Sequence, residues 1–121
     1  MKKVLVVEDD GDVREFIEVV LSTLGYETCL AERGEAGLHI AQREHPDLIL
    51  TDEQLPGMRG VEMLQRLRAT GDSTPAIVMS GRNVPIPPEV AADFLSKPFS
   101  SDGLSAAVQE LLDRAAERRR R

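Results

Sequence analysis

The chain has 121 residues, of which 41% are hydrophobic and 3% aromatic, with a formal net charge of −6. This length suits one domain with its own core, and the acidic balance speaks against nucleic acid as a direct ligand. No apolar run nears the roughly 20 residues of a membrane span, the apolar stretch after Met1-Lys2-Lys3 is too short for a signal peptide, and the single cysteine, Cys29, cannot form an internal disulfide. A cytoplasmic protein without a membrane partner is the expectation.

Val4–Val7 is a continuous apolar run, the mark of a strand buried on both faces, and it ends in Glu8-Asp9-Asp10. After Gly11, the residues Val13, Phe16, Ile17, Val20, Leu21 and Leu24 recur at helical spacing and predict an inward face, with Gly25 closing the helix. Thr28–Ala31 predicts a weaker second strand. A helix follows from Gly34 to about Glu44, with Leu38 and Ala41 inward and Pro46 beyond its end. Leu48–Thr51 predicts a third buried strand that stops at Asp52. Gly60 opens a helix with Val61, Leu64, Leu67 and Met63 inward, ended by Gly71. Ala76–Met79 predicts the fourth strand, before Ser80-Gly81. Between Arg82 and Glu89, Pro85, Pro87 and Pro88 fix φ and remove backbone donors, leaving room for one turn from about Pro88 to Ala92. Phe94–Ser96 predicts a short fifth strand ending at Lys97-Pro98. A last helix runs from about Asp102 to Glu117, with Leu104, Val108, Leu111, Leu112 and Ala115 inward, and leads into a basic tail, Arg118–Arg121.

The alternation of strands and helices with short connections predicts a single α/β domain over residues 1–121. It is a doubly wound parallel sheet with helices on both faces and right-handed crossovers. The helix between the fourth and fifth strands is expected to be shortened or missing.

In an open parallel sheet the C-terminal strand ends form the ligand crevice. Here those ends carry Glu8 and Asp9, then Asp52, then Ser80, then Lys97. Carboxylates gathered in one place repel unless a cation lies among them. Oxygen donors suit a hard divalent ion, Mg²⁺ being the cytoplasmic candidate, and Lys97 is the only lysine beyond Lys2 and Lys3. A cation, an ammonium, a hydroxyl and a carboxylate nucleophile together fit phosphoryl transfer.

The ordered set VVEDD, LILTDEQLPGMRG, IVMSG and FLSKPF resembles the receiver domain of two-component response regulators, over essentially the whole chain. The resemblance implies a flavodoxin-like five-stranded sheet of order 2-1-3-4-5. It implies a self-phosphorylating and autodephosphorylating switch, with no external substrate, that takes its phosphoryl group from a histidine kinase or histidine phosphotransfer protein and acts on an unidentified downstream protein. By position, Asp52 would be the phosphoacceptor. Mg²⁺ would be held by Asp9, Asp52, the backbone carbonyl of Gln54 and, through water or a weaker contact, Glu8. Ser80, Lys97 and the Gly81 amide would hold phosphoryl oxygens, Lys97-Pro98 would be cis, and Phe94 would be the aromatic switch that moves with Ser80.

Three positions depart from the family pattern. Arg59 stands where Asp is most frequent, Gln54 replaces a small residue, and the Ser80–Lys97 segment is short and proline-rich. The last departure predicts a monomer that works through a loop near Ser80 and Phe94. Gln54 and Arg82, two positions past Asp52 and Ser80, are expected to stand over the phosphoryl group.

Two other readings come from the same residues. Asp10-Gly11-Asp12 resembles the DxD opening of haloacid-dehalogenase-type phosphatases, although Asp10 also suits a turn before a helix, with Asp12 at its positive end. A receiver-like binding module that is never phosphorylated is opposed by the complete set of acids, Ser80 and Lys97. His39 and His45 read as solvated, and Cys29 as core packing.

Overall fold

The computed structural model describes residues 1–120. Its five strands are β1 Lys3–Val7, β2 Glu27–Ala31, β3 Leu48–Asp52, β4 Ala76–Ser80 and β5 Asp93–Ser96. They form one parallel sheet in the order β2-β1-β3-β4-β5. Among the described residues there are four helices, α1 Gly11–Thr23, α2 Gly34–Glu44, α3 Gly60–Ala69 and α4 Ser101–Arg119. Arg118 and Arg119 of the predicted tail form the last turn of α4, while Arg121 lies outside the described residues. None of the described helices is long and apolar enough to cross a membrane.

Side chains alternate across a strand. Val4, Val6, Leu48, Leu50, Ile77 and Met79 therefore point to the face covered by α1 and α4, and Leu5, Val7, Ile49, Ala76 and Val78 to the face covered by α2 and α3. All of them are buried, which is why β1, β3 and β4 read as unbroken apolar runs. Each such Val, Leu or Ile contributes about 1.5–3 kcal/mol on burial. The edge strands β2 and β5 are only partly buried and contribute less.

On α1, Ile17 and Leu21 are the fully buried residues, with Val13 and Val20 packed partly beside them. Phe16 and Leu24, expected inward, are instead 42% and 39% exposed. A helix seated on a sheet buries a narrow strip; Phe16 lies at its flank, while Leu24 is the C-cap, beyond the last helical residue. Phe16 meets the ring of Phe99, with centroids 6.4 Å apart. Gly25 follows the helix at φ 88°, a left-handed turn that glycine accepts without strain.

Residues 82–92 replace a helix with a mostly irregular connection, in agreement with the three prolines. Its one turn is closed by the Val90 amide donating to the Pro87 carbonyl at 2.9 Å. The Val90 side chain is fully buried in the core under α2 and α3, with Val84, Ile86 and Ala92 packed partly against it. Arg68 Nε donates to the Val90 carbonyl at 2.9 Å, and its guanidinium lies 3.5 Å from Asp72. The connection thus closes the face that a helix would otherwise cover.

Candidate functional site

The strand order reverses between β1 and β3, and a crevice opens at such a switch point beyond the C-terminal strand ends. Glu8 and Asp9 follow β1, and Asp52 is the last residue of β3. One carboxylate oxygen from each of Glu8, Asp9 and Asp52 lies within 4.8 Å of the others. Glu8 and Asp52 are buried, while Asp9 is exposed. Lys97 reaches in from the end of β5. Its Nζ donates to Glu8 Oε1 at 2.8 Å and lies 3.2 Å from Asp52 Oδ2. The Lys97 amide donates to the Ser80 carbonyl at 2.8 Å, and the Lys97-Pro98 peptide is cis.

The electrostatics follow from this packing. Burial pushes the Glu8 carboxyl up to about 7; the Lys97 hydrogen bond pulls it down, and the Asp52 charge adds to the rise. Burial alone would lower Lys97, but the Glu8 hydrogen bond and the charges of Glu8 and Asp52 together hold it above its ordinary value. Backbone contacts fix Glu8 further. Its Oε2 accepts from the Asp10 amide at 3.2 Å, and its carbonyl accepts from Arg14 Nη1 at 2.9 Å. Arg14 in turn pairs with Glu32 at 3.2 Å.

Asp52 is held from its own loop. Its Oδ1 accepts from the Gln54 amide at 3.4 Å, and its carbonyl accepts from the Thr51 hydroxyl at 2.9 Å. The start of α3 comes so close that a Cβ on Gly60 would stand 2.2 Å from the Asp52 carbonyl oxygen. Only glycine lets the helix begin there. Glu53, a residue with no marked role in the sequence reading, is 5% exposed, and its Oε1 accepts from the Val61 amide at 2.9 Å. The signal that could have found it is Arg59, which stands at the N-cap of α3 and makes no side-chain cap bond.

Ser80 is buried at the end of β4, and its Oγ accepts from the Arg82 amide at 3.2 Å. Gln54, Gly81 and Arg82 are exposed at the rim. Phe94 registers with Val78 and is 37% exposed, directly after the 82–92 connection in the chain. Asp10 belongs to the helix rather than the cluster, because its side chain accepts from the Asp12 and Val13 amides as the N-cap of α1. His39 and His45 are exposed, and Cys29 packs partly into the core.

The model of the response regulator receiver domain matches residues 4–109. The chain is 36% identical over 118 residues to the response regulator MprA of Mycobacterium leprae (strain TN), covering 93% of this chain and 51% of that protein. It thus spans about half the length of the curated relatives it matches. Among solved structures, the receiver domain of the Francisella response regulator 1452 superposes with a TM-score of 0.87 at 30% identity, covering 95% of this chain and 99% of that one. A CheY-like receiver domain protein from Methanospirillum hungatei JF-1 reaches a TM-score of 0.91 at 26% identity, with 98% of each chain covered. A match that runs through all five strands, on a fold shared with solved receivers and with an acidic cluster where such switches carry theirs, makes this chain a member of the response regulator receiver domains of two-component systems, a signalling switch rather than an enzyme with a substrate of its own.

Proposed function

We propose that Asp52 accepts a phosphoryl group from the phosphohistidine of a histidine kinase or phosphotransfer protein. The observation that carries this reading is the position of Asp52, at the end of a buried strand, in one carboxylate cluster with Glu8 and Asp9 and in contact with Lys97. An Asp52 oxygen attacks phosphorus, the new O–P bond forms as the P–N bond breaks, and the imidazole nitrogen keeps the electron pair. Lys97 neutralises charge on the phosphoryl oxygens, and the Ser80 hydroxyl and the Gly81 amide donate to them. Hydrolysis by water then resets the switch.

The donor set fits Mg²⁺. It consists of hard oxygens from acids of which one is exposed and two are buried, so an ion can enter from the Asp9 side. Asp9, Asp52, the Gln54 carbonyl and, more weakly, Glu8 would hold it. When bound, the ion supplies the positive charge that lets carboxylates and phosphoryl oxygens share the crevice. Gln54 and Arg82, exposed on either side, shield the acyl phosphate from water. Truncating both to Ala should speed phosphate release, and an unchanged rate would count against shielding.

The output follows from the 82–92 connection. Ser80 and Phe94 bracket it, so a rearrangement at Ser80 reaches an exposed aromatic and a loop, and a downstream protein reads that surface. The domain stays monomeric in this reading, since no helix is available between β4 and β5 for dimerisation. It works in the cytoplasm, where Cys29 remains a thiol.

Intact-mass analysis after treatment with a small phosphodonor and Mg²⁺ tests the assignment. Wild type should gain one acid-stable, base-labile phosphoryl group and Asp52→Asn none. Equal labelling of the variant would remove Asp52 from the role.

A further inference from the structure

We propose that Glu53 is a positioning residue for the phosphoacceptor, capping α3 from the strand end in place of the helix's own N-cap side chain. This rests on the reading of Asp52 as the phosphoacceptor. The N-cap of α3 is Arg59, with extended backbone (φ −70°, ψ 157°) and no side-chain cap bond. N-cap positions favour Ser, Thr, Asp and Asn because a short acceptor reaches the amide of the second or third helical residue. A guanidinium has only donors and cannot do this.

The first-turn amides must still find acceptors, because Gly60 and Val61 are buried. Glu53 supplies both. Its backbone carbonyl accepts from the Gly60 amide at 3.2 Å, and its Oε1 accepts from the Val61 amide at 2.9 Å. The carboxylate sits at the positive end of α3, and the Arg59 guanidinium lies 3.9 Å from its other oxygen. Arg59 therefore balances the residue that does its capping. The Glu53 amide donates to the Met79 carbonyl of β4 at 2.9 Å. Glu53 thus ties β3, β4 and α3 together, with Asp52 directly before it and Gln54 directly after. Its side chain holds α3 against the Asp52 carbonyl at the contact Gly60 makes possible.

The test compares Glu53→Gln, which keeps an acceptor oxygen, with Glu53→Ala, which does not. Two quantities are read: protection of the Val61 amide from exchange, and the Mg²⁺-dependent labelling rate across a range of phosphodonor concentrations. Glu53→Ala should lower Val61 protection about fivefold, the equivalent of a lost cap. It should slow labelling at saturating donor about tenfold, with the apparent KM for donor unchanged, because misplacing a reacting group affects the step rather than the encounter. Glu53→Gln should stay within about twofold of wild type on both, the acceptor oxygen being retained. Arg59→Asp provides a cap at the usual position. Added to Glu53→Ala it should restore both readouts, whereas alone it places two carboxylates at one helix end and should destabilise the protein. Wild-type labelling in Glu53→Ala, or failure of both Gln and Arg59→Asp to rescue, overturns the positioning role while leaving Asp52 in place. An unlabelled wild type overturns the phosphoacceptor reading and the positioning role with it, whatever Val61 protection shows of the cap.

Discussion

The acid-lined sheet edge and the 82–92 connection meet at Ser80 but are built in opposite ways. At the edge, the acids and Ser80 lie at the ends of strands packed on both faces, and hydrogen bonds cross between elements: Lys97 to Glu8, Arg14 to the Glu8 carbonyl, the Val61 amide of α3 to Glu53. The connection has one internal turn bond, a bond from the Arg82 amide to Ser80 Oγ, one fully buried side chain with three partly buried beside it, and one tether through Arg68. The first arrangement resists rearrangement, whereas the second opens at low local cost. The difference teaches where each task belongs. Phosphoryl chemistry needs groups held in place before the reaction, and a switch needs a part that can change without loosening them.

The largest effect should come from breaking the edge. Gly60→Ala forces a methyl against the Asp52 carbonyl and should cost about 3 kcal/mol in urea unfolding, with loss of labelling at Asp52. A near-neutral result would mean that α3 is free to slide. A smaller change breaks the connection instead. Val90→Ala leaves a cavity at its buried anchor and should cost about 2 kcal/mol. Labelling should be no slower than in wild type, because the edge is untouched. Slower labelling in this variant would show that the two regions are one unit.

The last effect is a pH dependence confined to the edge. Burial raises the Glu8 carboxyl from its usual value near 4.5 to about 7 in the folded chain. The folded state therefore binds more protons than the unfolded state across that window, so this group's contribution to stability falls as pH rises through it. In the presence of a chelator, the melting temperature should fall between the two ends of the window, and Glu8→Gln should flatten the slope. The same slope in the variant would assign the dependence to other groups.

Much of the edge was legible because β1, β3 and β4 are buried on both faces. Their apolar runs stop abruptly, so Glu8, Asp9, Asp52 and Ser80 fall at strand ends in the sequence as they do in space. The connection was legible through Pro85, Pro87 and Pro88, whose restrictions are local. What escaped depends on distant partners or on packing width. Phe16 and Leu24 follow helical periodicity, which gives the direction of a face but neither how far burial extends around it nor where along the helix it stops. Glu53 looks like any acid in a turn until α3 returns to it eight residues later. Arg68 reads as a charge near a helix end, while its acceptor is a carbonyl 22 residues away.

The link between edge and connection is tested most directly by amide exchange across residues 82–94, in wild type and Asp52→Asn, as phosphodonor and Mg²⁺ are added. Wild type should show altered exchange in that segment in proportion to the fraction labelled, with β1 and β3 nearly unchanged, and Asp52→Asn should show no response. Full labelling of Asp52 with unaltered exchange across 82–94, or the same response in Asp52→Asn, would contradict it.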